Sequence, residues 1–300
     1  VRASREIDLA DEDGTGASRD PPGVIEMAKH RLGRRGRRII QRAIALGAVT
    51  ALAVAAPAGA VINGTADGVR HPYVGAADGR PLGGPTQFGS GVLISPTVFL
   101  TAAHGTAHFD AAGVTRARVT FDPVVTDSST WYEGTIHTNP AWDPSAQGQR
   151  GDFGDLGVIV FDAPVPGITP ASLPSARYLD RVSDRAHLEI PGYGVSRYLG
   201  GSNGGGKRRQ DFSSGGTRNL ADEVFTSLSP GWLRLRAAGS AEICTGDSGS
   251  PSILSGTNLV LGITSVEWSL AGSECESAPW EQRVDTPAAR AFLGHYVALP

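Results

Sequence analysis

The sequence predicts an all-β protein with two β-rich halves and a single helix near its carboxyl end. Three observations carry that expectation. Short runs rich in β-branched and aromatic residues recur between turn clusters, at the spacing of sandwiches and barrels. A proline-rich passage, Asp162-Ala163-Pro164-Val165-Pro166 through Pro174, divides those runs into two groups and reads as a linker. Thr286-Pro287 places an N-cap and a first-turn proline ahead of the run Ala288 to Ala298.

In chain order, the first half offers Gly91 to Ser95 and Val98 to Thr101 on either side of Pro96, then Thr115 to Phe121, Trp131 to His137 and Leu156 to Phe161. The second half offers Ala186 to Ile190, Glu223 to Leu228, Trp232 to Ala237, Leu259 to Ser265 and Gln282 to Asp285. Between Leu199 and Arg218 the chain is rich in Gly, Ser and basic residues, including Gly204-Gly205-Gly206-Lys207-Arg208-Arg209. A phosphate cradle would need a strand before it and a helix after it, so an exposed flexible loop is expected instead, open to nicking after Arg208 or Arg209. On the final helix, Ala291, Phe292, His295 and Tyr296 share one face, expected to pack on the second half. No internal repeat is evident.

The formal net charge is −3, but it is unevenly spread. Residues 1–60 hold 10 Lys/Arg and 7 Asp/Glu, which leaves the remainder at −6 before histidine and offers no basic surface for nucleic acid. Met27, the only methionine, is followed by Lys29, Arg31, Arg34, Arg35, Arg37 and Arg38, then by the apolar run Ala43 to Ala56 and by Ala58-Gly59-Ala60. Basic, then apolar, then an A-x-A site is the order of a secretory signal peptide, here residues 27–60. The apolar run is too short for a comfortable membrane span. Arg37-Arg38 would suit a twin-arginine exporter, although the flanking residues match that signal poorly. Residues 1–26, polar and acidic, either precede the true start at Met27 or form a disordered extension. The mature chain is therefore expected outside the cell. An oxidising compartment favours joining Cys244 to Cys275, closing a loop of roughly 30 residues worth about 3 kcal/mol in the chain-entropy estimate. The spacings offer too few ligands for a zinc site, which leaves two unrelated buried thiols as the alternative.

Two short stretches bear on chemistry. Cys244-Thr245-Gly246-Asp247-Ser248-Gly249-Ser250-Pro251 is, by itself, a run of turn formers. Thr101-Ala102-Ala103-His104 closes the apolar run that begins at Gly91. Together they resemble the GDSGGP-type loop and the TAAH-type turn of the trypsin and chymotrypsin-like serine proteases, of the bacterial secreted type, with Ser250 where the family usually has a third glycine. Val61-Ile62-Asn63-Gly64, just after the expected cleavage, is similar to that family's IVGG-type amino terminus. The likeness spans roughly residues 61–298, strong at three motifs and loose between them. It implies that residues 61–170 and 171–300 each close into a six-stranded antiparallel β-barrel. It also implies a secreted monomeric endopeptidase acting on proteins or peptides, with no cofactor, no metal, no nucleic acid and no membrane partner after signal cleavage.

A serine hydroxyl needs a base, and the base needs a group that holds its tautomer. Of His104, His108, His137 and His187, only His104 carries the Thr-Ala-Ala context. Gly151-Asp152-Phe153-Gly154-Asp155 offers two carboxylates. The resemblance selects Asp155, which immediately precedes the strand from Leu156, and leaves Asp152 as a turn former. Ser248 is then the nucleophile, and the N–H groups of Gly246 and Ser248 the oxyanion donors. The order His104, Asp155, Ser248, with Ser250 in the last glycine position, excludes an α/β-hydrolase. The resemblance further implies that Glu242 sits at the base of the primary specificity pocket and favours Arg or Lys, although a solvent-facing acid reads equally well. Ser265, Val266 and Glu267 would run along the substrate backbone, with Glu267 or Trp280 narrowing the pocket. A released Val61 ammonium would pair with Asp247, giving a buried carboxylate its partner. Gly105 stands where a cysteine usually follows the histidine, so one common disulfide is missing. Two other readings use the same residues: a non-catalytic secreted binding protein on this fold, and an esterase.

Overall fold

The computed structural model describes residues 61–82, 88–146, 151–200, 208–266, 275 and 279–300. The expected signal peptide, the segment before it, Glu267 and the Gly204 to Lys207 run lie outside these residues.

The first described strand, β1 (Thr65–Ala66), pairs across the molecule with a strand of the second half. The first barrel contains β2 (Val74–Asp78), β3 (Phe88–Ser95), β4 (Val98–Thr101), β5 (Arg116–Thr120), β6 (Tyr132–Thr138) and β7 (Gly157–Phe161). They close in the order β2-β3-β4-β7-β6-β5, every pairing antiparallel. The expected strands agree with β4 to β7 within a residue, while β3 begins at Phe88 instead of Gly91. β2 is the strand that sequence pattern missed. Its residues, Val-Gly-Ala-Ala-Asp, have low strand propensity but are all buried, because the strand threads a crowded closure. A Cβ on Gly75 would lie 2.8 Å from Val119 Cγ1 and 2.9 Å from the Thr120 carbonyl oxygen, so only a bare backbone fits. Inside, the rings of Phe99, Phe121 and Phe161 pack with centroids 5.9 to 6.3 Å apart, two of the three pairs edge-on.

The Thr-Ala-Ala-His turn opens a helix that propensity had not marked, α1 (Ala103–Ala111). Its N-cap, Ala102, has no side chain to cap with, and a carboxylate from a later loop does that work instead.

The second barrel is built from β8 (His187–Gly192), β11 (Asn219–Leu228), β12 (Trp232–Ala237), β13 (Pro251–Leu254), β14 (Val260–Val266) and β15 (Trp280–Arg283). Its ring runs β8-β11-β12-β15-β14-β13 and returns to β8, which pairs with both β13 and β11. Leu188, Ile190, Ala221, Leu233, Leu235 and Leu261 fill it. Two six-stranded barrels are thus present, as the resemblance implied. A ribbon of β9 (Tyr198–Leu199) and β10 (Arg209–Gln210) stands off the second barrel. The expectation of a flexible loop through Arg218 is corrected at its far end: Arg218 is 2% exposed. Its guanidinium pairs with Asp67 at 2.7 Å and donates to the carbonyls of Val74, Phe121 and Gly68, stitching the first described segment to both barrels. Burial opposes the Asp67 charge, but His71 and Arg218 outweigh it and hold its carboxyl below the usual range.

The closing helix, α2 (Pro287–Leu293), is capped as expected, with the Thr286 hydroxyl accepting the Ala289 N–H at 3.1 Å. It stops before Gly294, short of Ala298, and it does not keep to the second half. Phe292 and Leu293 are buried in the cluster that holds the first barrel's core, and the Tyr296 ring packs at a tilt against His137 of β6, centroids 5.3 Å apart. Of the four residues expected on its buried face, Phe292 is buried, while Ala291 and His295 are exposed.

Candidate active site

Asp155 ends the loop before β7 and is completely buried. One carboxylate oxygen accepts the backbone N–H of His104 at 2.8 Å, in the first turn of α1, where an anion also meets the positive end of the helix. The other accepts the His104 ring N–H at Nδ1, 2.9 Å away, and the Ser265 hydroxyl from β14. The backbone N–H of Asp155 donates to Gln282 Oε1 at 3.1 Å. Burial alone would raise this carboxyl, yet the charge and hydrogen bonds of His104 and the Ser265 bond hold it below its ordinary value. Burial likewise works against the imidazolium of His104, and Asp155 outweighs it, so His104 titrates above the usual histidine value. The His104 side chain is 26% exposed, and the Trp142 ring lies 6.4 Å from it.

Asp152, the rival carboxylate, makes no bond to the imidazole among the described residues. It accepts Gln282 Nε2 at 3.0 Å and the Thr286 hydroxyl at 2.7 Å, so it anchors the side chain that supports Asp155. Ser265, expected along the substrate backbone, spends its hydroxyl on Asp155.

The loop carrying Ser248 is clamped between the barrels. The Ser90 hydroxyl donates to the Gly246 carbonyl at 2.8 Å, the Ser90 N–H donates to the Ser248 carbonyl at 3.0 Å, and Gly249 N–H donates to Thr264 at 2.8 Å. Gly246 and Gly249 adopt φ of 96° and 86°, a region closed to most residues. A Cβ on Gly249 would collide with the Ser90 carbonyl oxygen and the Thr101 hydroxyl. The N–H groups of Asp247, Gly249 and Ser250 are all bonded within the loop or to β14, whereas those of Gly246 and Ser248 meet no acceptor among the described residues. Ser248, Gly246 and His104 line one cavity of about 290 Å³.

Residues 65–280 match the family model for trypsin. The chain belongs to the trypsin family. Comparison with curated protein sequences returns no match. Solved structures similar to it include an HL collagenase (20% identity, TM-score 0.58, covering 78% of this chain and 97% of that one). Human heparin binding protein (18%, 0.55, 80% and 99%) and a scabies mite inactivated protease paralogue (15%, 0.56, 80% and 99%) are also similar. At these identities they establish the fold alone.

This trypsin-family chain carries further groups around the serine loop. Cys244 and Cys275 are joined in a disulfide. The Glu242 carboxylate accepts the Tyr198 hydroxyl at 2.6 Å, and that oxygen in turn accepts the Cys275 N–H at 2.9 Å. Tyr198, from the β9–β10 ribbon, is therefore a neighbour of Glu242 that sequence reading missed, and the guanidinium of Arg208 lies 4.3 Å over its ring. Ile62 exchanges both backbone hydrogen bonds with Glu242, which leaves Val61 buried at the second barrel. Asp247 is fully buried and, among the described residues, accepts the N–H groups of Cys244 and Gly194, at 3.0 and 2.9 Å. Without a cation among the described residues, burial pushes its carboxyl up to about 7.

Ser90 and Gln282 were also missed, and nothing local marks either. Ser90 is one small residue in an apolar strand, and Gln282 shows its role only when β15 passes behind Asp155.

Proposed function

We propose that the chain is a serine endopeptidase that works through His104, Asp155 and Ser248. The observation that carries this reading is the buried Asp155 gripping His104 by both ring and backbone, with Ser248 and two unused N–H groups on the same cavity. Neutral His104 takes the Ser248 proton as Oγ attacks the scissile carbonyl, and the resulting oxyanion is held by Gly246 and Ser248 N–H. The imidazolium, stabilised by Asp155, then protonates the leaving amine, and water repeats the sequence on the acyl-enzyme.

The test is active-site labelling. A fluorophosphonate modifies wild type at Ser248 and leaves Ser248→Ala unlabelled; a folded wild type that stays unlabelled and hydrolyses no peptide abandons this reading. The heparin-binding and inactivated neighbours favour one alternative, a non-catalytic binding protein, which would give that second result. An esterase would label yet turn over esters without amides.

Two finer proposals belong with this reading. Export through residues 27–60 and cleavage before Val61 would supply an ammonium to Asp247, a role supported by the burial of Val61 and the lack of a cation at Asp247 among the described residues. Amino-terminal sequencing of secreted protein reads this directly: any start other than Val61 contradicts it. Glu242 favours Arg or Lys at the cleaved position, tuned by the Tyr198 hydroxyl, and a preference for Phe among Arg, Lys, Phe and Leu substrates discards that assignment.

A further inference from the structure

We infer that Glu223 and Glu281, enclosed in the second barrel, form a pH-operated latch behind the serine loop: the barrel stays shut while both acids carry their protons and opens when alkali removes them. The latch itself is independent of catalysis; only its consequence for Ser248 chemistry rests on the protease reading.

Both acids stand in the barrel's core. Along β11 the exposed Asp222 and Thr226 alternate with Ala221, Glu223 and Phe225, so Glu223 points inward between two apolar core residues. Its register partners are Leu188 of β8 and Ala237 of β12, and neither of its carboxyl oxygens, both buried, meets a hydrogen-bond partner among the described residues. Glu281 of β15 is equally enclosed, opposite Leu233, and accepts the hydroxyls of Ser252 at 2.6 Å and Thr264 at 3.1 Å. Hydroxyls suit a neutral carboxyl but cannot cancel a buried charge.

The charged groups of the surrounding elements are turned elsewhere. On β8, His187 and Glu189 alternate with the inward Leu188 and Ile190; on β12, Arg236 is exposed and Arg234 lies 3.8 Å over the Trp280 ring. Arg283 is spent on Asp285 and Asp180, Glu242 on Tyr198, and β13 and β14 carry no charged residue. In the turn Tyr178–Arg181 only Leu179 is buried, with Asp180 and Arg181 exposed. Burial therefore pushes Glu223 up to about 9, with the Glu281 charge adding to it, and Glu281 up to about 8 against its hydroxyl bonds. Glu281 also reaches the serine loop. Ser252 lies just past that loop, and the Thr264 backbone holds both the Gly249 N–H and the Ser250 carbonyl at 2.8 Å, so opening this corner frees Ser248.

The test compares the full chain carrying Ser248→Ala with the same chain carrying Glu223→Gln as well. Both acids titrate above their ordinary value of 4.5, so their stabilisation is complete below it and is lost as pH rises through 8 and 9. Gln cannot ionise, so in urea unfolding its folding constant should gain on the parent by tenfold per pH unit, about 100-fold from pH 6 to 8. Infrared spectra of the parent at pH 8, above the Asp247 value, should still show the carbonyl stretch of protonated carboxyl groups, and that band decides the matter even if a variant fails to fold. Parallel urea curves or a missing band overturn the latch. In the active chain, fluorophosphonate labelling of Ser248 should fall in alkali, and at higher pH in Glu223→Gln than in wild type; the Val61 ammonium is common to both, so an unshifted fall severs the latch from the serine loop. A chain that labels at no pH removes the protease reading and leaves the latch to the urea and infrared results.

Discussion

Replacing Asp247 by Asn in the full chain, with Val61 still in peptide linkage and Ser248→Ala present to prevent self-cleavage, should change how stability depends on pH. Asp247 is buried against two backbone N–H groups, with no cation beside it among the described residues, and its carboxyl is pushed to about 7 from 3.8. The sign follows from a folded-state pKa above the unfolded one: the protonated form's stability is complete below about 4 and is lost as pH rises through about 7. Across that window the loss runs at about 1.4 kcal/mol per pH unit and levels off near 4 kcal/mol. Asn cannot ionise, so it escapes the loss. Its carboxamide misfits one of the two N–H groups, but that penalty is constant with pH and cancels from the slope. Glu223 and Glu281, raised to about 9 and 8 by burial, slope the same way in both chains and also cancel. Urea unfolding from pH 4 to 8 measures the difference. The Asn chain should gain about 4 kcal/mol on wild type over that range, and a flat difference refutes the claim that Asp247 is buried without a counter-charge. Release of a Val61 ammonium should reverse the slope, because a paired carboxylate titrates low.

The remaining predictions concern catalysis and the barrel junction. Asp155→Asn should keep the fold and lower kcat by about 10⁴-fold, by analogy with the same exchange in the Ser-His-Asp template, itself drawn from this family; a near-normal rate would show that another carboxylate orients His104. The rate kcat/KM should rise with pH through a pKa above the 6.5 of free histidine, since Asp155 favours the imidazolium and only neutral His104 is a base. In Asp155→Asn that inflection should move down. Arg218→Met leaves Asp67 buried without its guanidinium and should cost about 3–5 kcal/mol in a denaturant titration; a loss under 1 kcal/mol would mean that His71 alone satisfies Asp67.

Much of the site was legible because its signals are local. The Gly-Asp-Ser-Gly run needs turn geometry that its own residues favour, and the histidine follows an apolar strand whose pattern is plain. The strands Val98–Thr101 and Trp232–Ala237 were readable to the residue, since β-branched and aromatic side chains fill them. The strand Val74–Asp78 was not, because crowding at a barrel closure selects small residues that carry no strand signal. The short α1 helix escaped for a related reason: its cap is a carboxylate 51 residues away, not a neighbour in sequence.

Residue types and spacing by themselves therefore determined the β class, the two halves and the disulfide pair, and the family resemblance carried by two short motifs pointed to the three residues of the proposed triad. Only the tertiary structure decided what surrounds them. Ser90 clamps the serine loop from 156 residues away, Ser265 reaches Asp155 across 110 and Gln282 across 127. The burial of Asp247 against the N–H groups of Cys244 and Gly194 belongs to the same class. Propensity and periodicity report on a few neighbouring residues, whereas burial and charge pairing depend on which distant strands the closure of two barrels brings into contact.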